Sequence, residues 1–540
     1  MQYSNLSVLI VDPNPGMRAS LHNMLNQSSI SKIEYAVSSG TAIRQLGKKQ
    51  YDIVLCEYDL GSASNGQDGQ QLLEDLRHHK LIGPWTIFIM LTSEGIYSKV
   101  VSAAELTPTD YILKPFTVDV LSARINRAVE RRATFLPTYH LIGQNNLRDA
   151  VKACQAAETD FPRHAADFMR LRAELYMTLG ELNDAEQLYQ SVIRAKPMAW
   201  AQLGLARSLF AQKRYQEANY TLTRLIEQSP RLMAAYDLLA KTYQEMGQPL
   251  QAKTVLDDAV AISPHMVRRL RHLGEVALQA EDINAAERAF KQVVNKAKYS
   301  EFRDPEDHLN LVKTLVRKGD ANQAGGVIRD LERSLRGNPN MEVCRAIAAA
   351  LVLALEGDDP AAIGELTAAV AAVSASKGLS AQLRIGLVQS CLKNKLDKEA
   401  SDVVVNLMND TDSGVSMEQV VNVYEKAGRA DLAVGLGQRI QQQVEDLMTD
   451  AADKSEQGEH MAAVIVLKQA LRKTPGNPVL LFASVEAILA QLNSLGWDSA
   501  LAEQCQHHLQ TITKIDPKHV KLIELRDQYA GTQRKFGIAG

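Results

Sequence analysis

The stretch Tyr51–Gly61, YDIVLCEYDLG, decides the fold of the first part of the chain. Ile53, Val54, Leu55 and Cys56 form a continuous apolar run, the pattern of a strand covered on both faces of a parallel sheet, and the run ends in the acid Glu57. Runs of the same kind at Ser7–Val11 and Thr86–Leu91 end in Asp12 and Thr92, and a fourth, Asp110–Leu113, is followed by Lys114. Ligands of an open doubly wound sheet bind outside the carboxyl ends of its strands, so these four termini are expected to share one pocket. Helical patterns lie between the strands: Pro15–Gln27 carries Met17, Leu21 and Leu25 on one face, and Gln67–Arg77 carries Leu72, Leu73 and Leu76. Such alternation indicates right-handed βαβ units. A polar, Gly-rich loop is expected over Gly61–Gly69. A last helix over Val118–Arg132 is expected to end before Pro137, which places a first domain at 1–132 and a second at 133–530.

VLIVD at Val8–Asp12, DIVLCE at Asp52–Glu57, MLTS at Met90–Ser93 and DYILKPF at Asp110–Phe116 resemble the response-regulator receiver family of two-component signalling. The resemblance implies a flavodoxin-like doubly wound α/β fold. It also implies a pocket made of Asp12, Glu57, the backbone of Asp59, Thr92, Tyr111 and the counter-charge Lys114, with a cis Lys114–Pro115 bond. Two departures stand out. Glu57 occupies the position of the family's phosphoacceptor aspartate, and Pro13 that of a second metal-holding carboxylate, so the resemblance implies a weak or absent magnesium site at Asp12. Two readings of Glu57 remain open: its longer carboxylate reaches toward Lys114 and Thr92 and imitates phosphoaspartate, or it merely pairs with Lys114 in a receiver kept as a rigid docking module. Asp59 is a further, less favoured candidate acceptor, since it lies past the strand end.

From about Gly143 the strand signal gives way to a repeat. Ala185, Ala218, Ala252 and Ala286 recur at intervals of 33, 34 and 34 residues, with Pro197, Pro230 and Pro264 in step. Each Ala is followed four residues later by Tyr189, Leu222, Leu256 or Phe290, and preceded by twelve by Ala173, Ala206, Ala240 or Gly274. Small residues let paired helices approach, large ones fill the gap between pairs, and Pro ends each second helix. The pattern resembles tetratricopeptide repeats (TPRs) over about 165–294, with weaker copies beyond, a divergent pair over Met341–Ser374 and two capping helices over Trp497–Tyr529. An all-α superhelix is the expected architecture.

On such superhelices the concave groove is lined by fixed positions of each first helix. Here they include Arg170, Trp200, Arg207, Phe210, Lys241, Arg268 and Arg271. An aromatic among arginines suits a protein or peptide anchor, because Trp and Arg dominate interface hot spots. Packing of Trp200 between neighbouring repeats is the alternative. The cluster VRRLRH at Val267–His272 reads as a solvated helix face or part of the same groove.

Sixty basic against 63 acidic residues leave a formal charge of −3, which argues against a general nucleic-acid binder. The five cysteines are scattered and form no C-x-x-C pair, the usage of reduced thiols. Neither a secretory leader nor a membrane span is evident, Ala346–Leu355 being too short to cross a bilayer, so a cytoplasmic protein is expected. The sequence reads as a non-enzymatic signalling adaptor, with a protein partner in the groove and a histidine kinase or other signalling protein as a further partner. It needs no cofactor, unless the pocket still takes magnesium. An ordinary phosphoryl-accepting response regulator and a nucleic-acid-associated regulator are the rival readings.

Overall fold

A computed structural model describes residues 5–537 except 62–67, 94–107, 145, 265, 298–302, 374, 377, 410–414, 416, 474–476 and 516–518. These fall into two compact units, Met1–Val327 and Ile328–Gly540. The first unit begins with five parallel strands, β1 Ser7–Val11, β2 Lys32–Ala36, β3 Ile53–Glu57, β4 Ile87–Ser93 and β5 Asp110–Lys114, in the order β2-β1-β3-β4-β5. Because side chains alternate along a strand, the apolar runs supply two cores. Leu9, Val11, Val54, Cys56, Phe88 and Met90 pack on one face against α2 (Ser39–Leu46) and α3 (Gly69–His78). Val8, Ile10, Ile53, Leu55, Ile89 and Leu91 pack on the other against α1 (Pro15–Gln27) and α4 (Val118–Gly143). The sequence reading passed over β2. It is an edge strand whose Lys32 and Tyr35 are exposed, so it lacks the apolar run that marks its neighbours. Residues 62–67 of the expected Gly-rich loop lie outside the described part.

The expected end of the last helix before Pro137 is corrected: α4 continues to Gly143 with Pro137 inside it. An internal proline forfeits a backbone hydrogen bond at a cost of roughly 3 kcal/mol. Here, Tyr139, Leu141 and Ile142 beyond the proline pack against the same core as Phe135 before it, a core with Cys154 and Phe168 in which the Phe135 ring stacks on Phe168 at 4.1 Å. One helix thus carries the sheet's last crossover into the first helical core.

The helices that follow come in antiparallel pairs. A leading helix α5 (Leu147–Asp160) precedes α6 (Ala165–Leu179) with α7 (Leu182–Ala195), α8 (Ala199–Ala211) with α9 (Tyr215–Gln228), α10 (Met233–Glu245) with α11 (Pro249–Ile262), and α12 (Val267–Gln279) with α13 (Ile283–Ala297); α14 (Pro305–Lys318) and α15 (Ala321–Ser334) follow in the chain. Ala185, Ala218, Ala252 and Ala286 are fully buried, as are Leu222, Leu256 and Phe290. The close approach is visible at Gly274, where a Cβ would meet the Phe290 ring at 2.6 Å, and at Gly204, where it would meet Tyr189 at 2.2 Å. Pairs turn on residues such as Gly180 and Gly319, with φ of 74° and 81°, a conformation that glycine adopts without a Cβ penalty.

The second unit, by itself, holds helices from Met341–Glu356 to Val520–Lys535. One of its hydrophobic clusters centres on the helix Pro478–Leu495, which contributes Leu480, Val485, Ile488 and Leu492. Among the described residues this is the one helix long and apolar enough to cross a membrane, and 56% of it is buried inside the protein. It is longer than Ala346–Leu355, the stretch the sequence reading singled out as most apolar.

Candidate functional site

The carboxyl ends of β1, β3 and β5 bring three charged side chains together. Lys114 Nζ pairs with Glu57 Oε2 and lies 3.5 Å from Asp12 Oδ2. The other oxygens of the two acids accept backbone N–H groups: Asn14 N donates to Asp12 Oδ1 at 2.8 Å and Asp59 N to Glu57 Oε1 at 3.1 Å. Asp12 is 1% exposed, so its charge depends on these neighbours rather than on water. Arg18 braces the turn, donating to the carbonyls of Asp12 and Pro13 at 2.7 and 3.0 Å. The Lys114–Pro115 bond is cis. Thr92 is buried, and its hydroxyl donates to the Ser93 carbonyl at 3.4 Å rather than to Glu57. Tyr111 is half-buried against the α2/α3 core. Burial pushes the Cys56 thiol well above its ordinary range, so this neighbour of Glu57 is no nucleophile.

Helix α3 starts directly against this pocket. Gly69 N donates to the Tyr58 carbonyl at 2.7 Å, and a Cβ on Gly69 would meet the Glu57 carbonyl at 2.5 Å. The next nine residues split by face. Leu72, Leu73 and Leu76 enter the sheet core, while Gln70, Glu74, Arg77 and His78 form the opposite stripe.

The predicted groove positions on the helical repeats divide into three groups. Trp200 is half-buried, with its ring edge-on to Tyr189 at 6.3 Å and the Arg170 guanidinium 5.9 Å from its centroid; Arg170 also pairs with Glu174 at 3.1 Å. Arg207 and Lys241 are exposed, and Phe210 packs on Tyr215 of the next helix at 5.4 Å. Arg271 holds the buried Asp307 through two bonds of 2.6 and 2.9 Å, which ties α12 to α14. Arg269, which the sequence reading placed in the VRRLRH cluster but not among the groove positions, grips Asp237 of α10 at 2.9 Å through Nε and Nη2 while only 2% exposed. His272 meets Gln244 at 2.6 Å. The VRRLRH cluster is therefore mostly spent on fixing adjacent repeats rather than solvated, because forked guanidinium–carboxylate pairs hold geometry as well as charge.

Residues 8–126 match the family described as the response regulator receiver domain, and residues 139–199, 171–232 and 209–271 match families described as tetratricopeptide repeat. The chain is a response regulator receiver domain followed by tetratricopeptide repeats. Over 127 residues it is 28% identical to the chemotaxis protein CheY-3 of Vibrio cholerae, covering 24% of this chain and 94% of that protein. Over 126 residues it is 26% identical to the chemotaxis protein CheY of Pseudomonas aeruginosa, covering 23% and 98%. Among solved structures, PilF of Pseudomonas aeruginosa is 17% identical and covers 39% of this chain and 95% of its own, with a TM-score of 0.31. Both kinds of domain are non-enzymatic, and together they make this a signalling protein with a protein-interaction region.

The receiver pocket does not fit the magnesium ion its family implies. Magnesium demands near-octahedral oxygen donors. The Pro13 side chain supplies none and its carbonyl accepts from Arg18, one oxygen each of Asp12 and Glu57 is bound to backbone N–H, and the remaining two face the Lys114 ammonium. Among the described residues no group of three or more His, Cys, Asp or Glu side chains could hold a metal ion.

Proposed function

We propose that this protein is a cytoplasmic signalling adaptor whose receiver works without phosphoryl transfer and whose TPR face binds a protein partner, with a histidine kinase or another signalling protein as the candidate on the receiver side. The observation that carries the reading is the Asp12–Lys114–Glu57 arrangement. In a phosphoryl-accepting pocket a carboxylate must be free to attack, and a cation must neutralise the incoming phosphate. Here, the acid at the acceptor position is already ion-paired, and the lysine that would meet the phosphoryl group is spent on it. The arrangement supports the view that Glu57 and Lys114 hold the pocket in one fixed state. Thr92, bonded to its own strand, supports a closed pocket more than one in which Glu57 imitates a phosphorylated aspartate.

The test is incubation of the full chain with a small acyl phosphate and magnesium, read by intact mass. Wild-type protein should gain no phosphoryl group. Glu57→Asp shortens the side chain by one methylene, and a misplacement of about 1 Å can cost ~100-fold, so it restores reach but not the metal site. Pro13→Asp alone should accept none, and the double variant far more than the sum, as expected of groups that act as one unit. Uptake by wild-type protein at Glu57 or Asp59 would replace this reading with the ordinary response regulator.

A further inference from the structure

The polar stripe of α3 ought to face water, yet of its four residues only His78 is exposed. Glu74, at its centre, is 3% exposed. Its neighbours across the gap belong to the TPR face: Arg268 and Arg269 of α12, and Asp237 of α10, which senses its charge. On its own side it has Gln70, which donates to it at 3.0 Å, together with Asp68 and Arg77. One turn on, Arg268 Nη1 lies 3.3 Å from His78 Nδ1; burial and the Arg268 charge hold His78 below its ordinary pKa, so the neutral ring accepts this bond. Arg77 faces Arg170 and Glu174 of α6 and Tyr139 of α4. Positions 74, 77 and 78 thus meet α6, α10 and α12 on the face expected to hold the partner groove.

We propose that this face is a docking site whose occupant is the receiver's own helix α3, so that an outside partner must present an amphipathic helix with a central carboxylate and displace α3 from Arg268. The proposal rests on the reading of the TPR face as the partner site. What makes the contact a latch rather than a permanent seam is its incomplete pairing. Within the repeats, Arg271–Asp307 is a closed fork. Across the α3 contact, Glu74 Oε2 and Arg268 Nε are buried without a hydrogen bond. Buried polar atoms left unmade lower the stability of the docked state, which keeps release within reach of a partner able to pair them. Burial also pushes the Glu74 carboxyl up to about 7, against the pull of Arg268 and Arg269. Since Gly69 abuts the Glu57 carbonyl, the same helix touches the receiver pocket at one end and the TPR face at the other.

The experiment uses the full chain and a fluorescent peptide of residues 68–80, DGQQLLEDLRHHK, followed by anisotropy. Wild-type protein, its face occupied, should bind the peptide poorly. Glu74→Lys should free the face and bind at least roughly tenfold tighter, a factor worth about 1.4 kcal/mol. Arg268→Glu reports from the repeat side should the receiver variant fail to fold: it should ignore the wild-type peptide and bind one carrying Lys in place of Glu74. The double variant Glu74→Lys with Arg268→Glu should close again. Equal binding by wild type and both single variants, with helical circular dichroism intact, overturns the latch. Phosphate uptake by wild-type protein overturns the adaptor reading instead and leaves the latch standing, so the two failures are distinguishable.

Discussion

Gly274→Ala is the sharpest probe of how the TPR face is built, because two effects of opposite sign meet there. Gly274 lies inside α12, where alanine is favoured over glycine by roughly 1 kcal/mol. Against this, the new methyl would sit 2.6–2.8 Å from three atoms of the Phe290 ring, a rigid group with no exposed surface and no room to turn. Overpacking of this kind costs about 1–3 kcal/mol, and a shift of most of an ångström puts it at the upper end. The net expectation is a loss of ~2 kcal/mol, a factor of roughly 30 in local opening. Since a chain of this size does not unfold in one step, the assay is hydrogen exchange of the amides in α12 and α13. The control is Gly364→Ala, at an exposed helical glycine with nothing within 4 Å of the added methyl, which should stabilise its own helix by about 1 kcal/mol. Slower exchange at α12 in Gly274→Ala would refute the close-approach account of the repeats. The consequence reaches function, because α12 carries the arginines that face α3.

Trp200→Ala with Arg207→Ala should abolish capture of the TPR partner while leaving helical circular dichroism unchanged; a half-buried Trp costs the fold less than the ~3–5 kcal/mol of a fully buried aromatic. Loss of folding would instead assign Trp200 to packing between repeats. Docking of α3 should depend on pH. Glu74, raised from 4.5 to about 7, supports docking fully below its ordinary value and withdraws up to ~3 kcal/mol as pH rises through about 7. His78 and His79, held below 6.5 by burial and Arg268, work the other way, their support being lost as pH falls below that value. Asp237, raised from 3.8 to about 7 by burial and in part by the charge of Glu74, works in the same direction as Glu74, and the part owed to Glu74 is lost when α3 leaves. From about pH 6.5 to about 8 protection along α3, corrected for intrinsic exchange, should therefore fall; in Glu74→Gln that fall should shrink, and an unchanged slope would contradict the role of Glu74.

Much of this protein is legible in one dimension. The runs at Val8–Val11, Ile53–Cys56 and Ile87–Leu91 could belong only to strands covered on both faces, and the polar residues at their ends therefore had to meet. Periods of 33 and 34 residues wrote the paired helices, because each small residue must face a large one for the pairs to close. Edge strand β2 escaped notice because half of it faces water, and the continuation of α4 past Pro137 because the core that holds Tyr139, Leu141 and Ile142 is supplied by later helices, through Cys154 and Phe168. Whether an arginine of α12 faces solvent, an adjacent repeat or the receiver is a property of its neighbours in space. Arg268, Arg269 and Arg271 stand within four residues of one another, yet their partners are His78, Asp237 and Asp307. The same holds for Glu74, whose place on the polar side of an amphipathic helix predicts water and whose burial comes from a second element laid across it. Local pattern determines which residues avoid water. Only the tertiary structure decides where a charge that has lost its water finds another.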